Sequence, residues 1–127
     1  ARIERESGAL EASERRLLDL WPDLDEAWQS EGKSAFAGLV AIEIGKTLVA
    51  AGRVEEAMQW LELGVLIETQ SRPAGHYRIG IAHLELATAS AKASDREAHA
   101  QIAISLLEPV FGQSHPLTRR ARTLLRQ

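Results

Sequence analysis

Residues 35–68, AFAGLVAIEIGKTLVAAGRVEEAMQWLELGVLIE, hold two helical segments of different character joined at a glycine. From Val54 to Glu68 the small or apolar residues Val54, Ala57, Leu61, Gly64 and Val65 recur at helical spacing, while Glu55, Glu56, Gln59, Glu62 and Glu68 fill the other side. That pattern predicts an amphipathic helix with one buried face. The preceding run, Ala35 to Ala51, is apolar almost all round. A helix of that kind must be covered on more than one side. Gly52-Arg53 is expected to end the first helix and turn the chain, since glycine takes up the left-handed conformation at a helix end without a side-chain clash.

The same plan recurs downstream. His76 to Ala93 reads as a mostly small and apolar helix, Ser94-Asp95 as a turn with an N-cap, and Arg96 to Val110 as a second amphipathic helix. Its expected face is Ala98, Ile102, Ser105, Leu106 and Pro109. Pro73 and Pro116 are each placed to open the next helical run, where proline costs least. Upstream, Ala1 to Glu6 reads as a helix end, Gly8 as a turn, and Ala9 to Trp21 as a helix stopped by Pro22. Residues 23–33 form a connector, either a loop with a short helix around Trp28 or an extension of the helix that follows. Aromatics and threonines are few and no alternating pattern is sustained, so no strand is expected.

Helical hairpins at a fixed period are the sequence mark of a repeat array. Ile44-Gly45 and Leu86-Ala87 are 42 residues apart, Ala57 and Ala98 are 41 apart, and Ser71-Arg72-Pro73 and Ser114-His115-Pro116 are 43 apart. The chain divides accordingly into a partial repeat (1–22), the connector (23–33), two repeats (34–70 and 74–110) and a terminal helix (115–127).

Ile44-Gly45, Leu48, Gly52, Val54, Ala57, Leu61 and Val65 resemble the tetratricopeptide repeat pattern. The resemblance is fullest across residues 38–68. It extends over 76–110 with Ser94 in place of the turn glycine, and touches 1–22 in part. Leu61 stands where the family commonly has Tyr. The period exceeds the ~34 residues of the standard repeat and is similar to the longer kinesin-light-chain type. The resemblance implies an all-α fold of helical hairpins stacked into a short right-handed solenoid, with Gly45 and Ala57 at close helix approaches. It also implies a protein-protein interaction module whose concave surface is lined by the first helix of each hairpin. Carried over by position, that lining is Ile42, Lys46, Val49 and Ala50, then Leu84, Glu85, Thr88, Ala91 and Lys92, then Thr118, Arg119 and Arg122. Such a groove is mildly basic over an apolar floor, which suits a protein or peptide partner bearing carboxylates, with Lys46, Lys92 and Arg122 as charge partners.

Candidate chemistry elsewhere is weak. Gly45-Lys46-Thr47 and Gly32-Lys33-Ser34 lack the glycine five residues before the Gly-Lys pair that a phosphate-cradling loop requires; Val40 and Ala27 stand there. The four histidines, His76, His83, His99 and His115, include no pair at the three- or four-residue spacing that brings two imidazoles to one metal. His76 and His83 could share a face, and His115 reads as a turn residue. No catalytic apparatus and no cofactor or metal site is expected. Trp60 is placed in the core, and Trp28 is the tryptophan expected to cover a groove or touch a partner.

Composition sets the outer bounds. Hydrophobic residues at 45% and charged residues at 26% are the balance of a soluble globular chain, and no apolar stretch is long enough to cross a bilayer. The net charge of −3 argues against nucleic acid as partner. With no cysteine, disulfides and thiolate chemistry are excluded. The charged N-terminus does not read as a signal peptide, and the lack of an initiating Met points to a processed chain or a fragment. Abundant Ala and Arg fit a GC-rich bacterial genome, and a cytoplasmic protein is expected. Leu117, Leu124 and Leu125 form an apolar stripe in the terminal helix, through which residues 115–127 could self-associate; the alternative to a ligand-binding module is thus a structural or self-association segment of a larger bacterial signalling or regulatory protein.

Overall fold

The computed structural model describes the backbone of residues 2–126 and the side chains of 8–126. It is all-helical over those residues, with six helices: α1 (Arg2–Glu31), α2 (Ala35–Ala50), α3 (Val54–Ser71), α4 (Tyr77–Ala89), α5 (Ala93–Phe111) and α6 (Pro116–Leu125). Each packs chiefly on its neighbours in sequence. Further contacts join α2 to α4 and α4 to α6, so every substantial interface lies between helices one or two apart in the chain.

The ends of α2 follow from its flanking residues. The Ser34 hydroxyl accepts from the Ala37 amide at 3.1 Å and caps the first turn. Ser34 also donates its own amide to the Ser71 hydroxyl at 2.8 Å, tying the start of α2 to the end of α3. At the far end Gly52 adopts φ +81°. Its amide donates to Val49 O and that of Arg53 to Leu48 O, which satisfies carbonyls that the helix end would otherwise orphan. The helices α4 and α6 begin alike: His76 Nδ1 accepts from the Arg78 amide, and His115 Nδ1 from the Leu117 amide.

The hairpin of α2 and α3 closes on glycines. A Cβ on Gly45 would lie 2.4 Å from Leu61 Cδ2, and one on Gly64 2.3 Å from Ile42 Cδ1. As α2 ascends α3 descends, so 42 faces 64 and 45 faces 61. Ala87 has the corresponding place in the second hairpin, fully buried in a cluster with Leu84, Ala100, Ala103, Leu107, Ala121 and Leu124 that joins α4, α5 and α6. A neighbouring cluster of Ile42, Leu61, Ala82, Leu86 and Ala89 joins α2, α3 and α4. The core is thus a row of clusters, each shared by consecutive helices.

Several local expectations are corrected. Gly8 and Pro22 do not interrupt the chain, because α1 is a single 30-residue helix that contains both. Proline inside a helix removes a backbone bond and costs about 3 kcal/mol. The offsetting burial is an apolar stripe, Leu17, Trp21, Leu24 and Trp28, that crosses Pro22 at spacings of four, three and four. Its upper part packs with Val40, Ile44 and Leu48, and Trp21 meets Trp60 edge-on at 5.0 Å. Trp28 is in the core, packed with Ala37 and Ile67, rather than on a groove. The connector shrinks to 32–34.

The second turn also moves. Helix α4 ends at Ala89, and Ser94 and Asp95 already belong to α5. On α5 the buried residues are Ala100, Ala103 and Leu107, whereas Ala98, Ile102, Ser105 and Pro109 are exposed. Apolar residues sit on both sides of this helix, and the close approach of α4 selects the side with alanines. Finally, Pro73 lies in a turn ahead of α4, whereas Pro116 does open α6.

Candidate functional site

Of the residues expected to line a groove, Lys46, Ala50, Thr88, Ala91, Lys92 and Arg119 are exposed. On α2, Lys46 and Ala50 are exposed, and Lys46 is bonded to Glu43 at 3.2 Å one turn away. On α4, Thr88 is exposed and Glu85 is buried. The two are joined by a residue from α6. Arg120 donates to both Glu85 oxygens, at 2.8 and 3.1 Å, and to the Thr88 hydroxyl at 2.9 Å. This fork crosses from α6 to α4 and neutralises a carboxylate that burial would otherwise leave costly. Lys92, the N-cap residue of α5, is exposed, as are Ala91 and Arg119.

Several expected lining residues belong elsewhere. Ile42 and Leu84 are core residues, 5% and 0% exposed. Val49 is half-buried between two clusters, and Thr118 is fully buried. Arg122 turns the other way and bonds Glu108 of α5 at 2.5 Å. The stripe of Leu117, Leu124 and Leu125 packs on the α4–α5–α6 cluster, with Leu124 buried and Leu117 and Leu125 partly buried. Arg120 was not anticipated. It and Arg122 flank the buried Ala121, and only the crossing of α6 over α4 determines which arginine faces which helix.

A second feature lies between α3 and α5. These two helices straddle α4 and leave a cleft of about 320 Å³ lined by Met58, Glu62 and Val65 of α3, Leu86 of α4 and its C-cap Ser90, and Asp95 and His99 of α5. One wall is fixed by a bond between histidines: His83 Nδ1 of α4 lies 2.9 Å from His99 Nδ1 of α5. Ring centroids 5.1 Å apart and planes inclined by 27° put the rings almost edge to edge, so one nitrogen donates a proton and the other accepts it. Burial, and then the neighbouring His99, push the His83 imidazole down to about 4. The two residues are 16 apart on different helices, so a search for helical histidine spacing passes over them.

A third position is the buried Glu68 of α3, 1% exposed, which lies against Gly38 of α2. Arg72 reaches one of its oxygens at 3.3 Å and the other has no hydrogen-bond partner. Burial raises the Glu68 carboxyl above the usual range, against the opposing pull of Arg72, Arg78 and His76. Among the described residues no group of three or more His, Cys, Asp or Glu side chains could hold a metal ion, and no helix is long and apolar enough to cross a membrane. Compared with known proteins, the chain matches no family model, no curated protein and no solved structure.

Proposed function

We propose that this chain is a non-catalytic interaction module of tetratricopeptide type, which receives a segment of a partner protein along the face shared by α2, α4 and α6. The observation that carries the reading is an asymmetry of packing. The even helices contact one another, α2 with α4 and α4 with α6, whereas α3 and α5 stand apart with a cleft between them. Helices that approach more closely on one side than on the other form a curved stack with the even ones inside. A stack of that kind offers an extended inner surface to a ligand.

The exposed residues on or beside that face are Lys46, Ala50, Thr88, Lys92 and Arg119. Arg120 and Glu85 satisfy each other, and Arg122 bonds Glu108. The cations left for a partner's carboxylates are therefore Lys92 and Arg119, together with Lys46, whose exposed bond to Glu43 on its own helix is weak enough to exchange for a ligand, and an acidic peptide remains the ligand of choice. Peptides selected on the protein from a random displayed library supply the probe. Replacing Lys46 and Arg119 by Glu should weaken the selected peptides at least tenfold while the fold is retained. Selected peptides that bind the double variant as well as the parent would discard this face as the docking surface.

A further inference from the structure

We infer that the cleft between α3 and α5 is a docking site for an arginine or lysine side chain of a partner protein. It is distinct from the face of α2, α4 and α6, because Leu86 and the C-cap Ser90 project from α4 well around the helix from Glu85 and Thr88.

The cleft combines two features that suit such a side chain. Met58, Val65 and Leu86 supply apolar surface for an aliphatic stem. Glu62 on one wall and Asp95 on the other are exposed carboxylates, neither bonded to another side chain among the described residues, and no Lys or Arg is among the lining residues. A long cationic side chain buries its methylenes while its charge stays at a wet rim, so it matches this arrangement where an acidic or purely apolar group does not. Met58 adds a flexible, polarizable contact of the kind found on adaptable binding surfaces. The Ser90 hydroxyl donates to Leu86 O at 2.7 Å and so presents no unspent donor to repel the cation. The bond between His83 and His99 holds the α5 wall to α4, so little ordering is required on binding.

Met58 is the only methionine in the chain and provides a single reporter inside the cleft. With a ¹³C-labelled methionine methyl, the protein is titrated with the tripeptide acetyl-Ala-Arg-Ala-amide, its lysine counterpart and a neutral glutamine counterpart. One side chain held by two rim carboxylates, with its methylenes laid on apolar surface, corresponds to a dissociation constant on the order of millimolar or weaker. The expected result is a saturable shift of the Met58 methyl with the cationic peptides, at least fivefold weaker with the glutamine peptide. Glu62→Gln combined with Asp95→Asn should weaken binding by a similar factor, and these isosteric surface changes leave thermal unfolding nearly unaltered. Lys46→Glu should leave the titration unchanged, which separates this site from the face proposed above. The inference is overturned if the methyl does not move up to tens of millimolar peptide, if the neutral peptide titrates equally, or if the carboxylate variant binds as well as the parent.

Discussion

Replacing Gly45 by alanine tests the packing on which the whole array rests. Within a helix, Gly→Ala gains about 1 kcal/mol from backbone entropy and solvation alone. At Gly45 the new Cβ would lie 2.4 Å from Leu61 Cδ2, 2.6 Å from Leu61 Cγ and 3.4 Å from Ala57 O. Carbon atoms in good contact lie about 3.5–4.0 Å apart, so Leu61 must move by more than an ångström or α2 must withdraw from α3. Leu61 is fully buried, and a close-packed interior gives a displaced side chain little room. Overpacking of this kind costs about 1–3 kcal/mol, at times more. With Cγ as well as Cδ2 obstructed, we expect the upper end, for a net loss of about 2 kcal/mol. In a domain of this size that lowers Tm by roughly 6–10 °C. Gly8→Ala is the matched control: it is also helical, its new Cβ meets nothing within 4 Å, and it should gain up to about 1 kcal/mol. Both variants are read by urea and thermal unfolding followed by circular dichroism. If Gly45→Ala were as stabilising as Gly8→Ala, the two helices would not approach at this glycine, and the account of the hairpin would be wrong.

Acid should act through His83. Its folded pKa of about 4 lies below the ordinary 6.5, so its contribution is fully present above pH 6.5 and is lost as pH falls toward 4. The ceiling is about 3 kcal/mol and partial exposure reduces it to on the order of 1–2 kcal/mol. His83→Gln should flatten the unfolding free energy across that window, and an unchanged pH profile would refute the assignment. Glu68 has the opposite sign: its raised carboxyl contributes stability below the unfolded value of 4.5 that is lost as pH rises through the folded value. Glu68→Gln should therefore stabilise the protein at pH 7 and have little effect at pH 4, as urea midpoints at the two pH values would reveal. Removing Arg120 strands the buried Glu85, so Arg120→Ala should cost about 2–3 kcal/mol. Arg122→Ala breaks a more exposed pair and should cost less than about 1 kcal/mol. Equal losses in the two variants would show that burial of Glu85 does not govern the difference.

The helical class and the hairpin of α2 and α3 were legible in the chain, because both depend on local chemistry. Residues 54–68 carry a helical period, Gly52 carries a stop signal, and small residues at Gly45 and Ala87 mark where a helix can come close. Those features act within a few residues, so a one-dimensional reading captures them. The continuity of α1 was not legible in the same way. Pro22 is a local breaker, and it is overridden by tryptophan and leucine contacts made to α2 and α3, far away in sequence. The buried side of α5 had the same origin, since apolar residues lie on both faces and only the approach of α4 chooses between them.

The candidate sites depended on tertiary structure still more. Sequence periodicity fixes which residues share a face of one helix, but not which face meets which neighbour. That is why Arg120 rather than Arg122 bridges to Glu85, why Ile42 and Leu84 are core rather than lining, and why His83 finds His99 across 16 residues. The cleft between α3 and α5 is a property of no single segment, since its walls come from two helices and its floor from a third. Local propensities and hydrophobic period specify the helices. The crossing of one helix over the next, set by the glycines and alanines that allow close approach, specifies the surfaces those helices present to a partner.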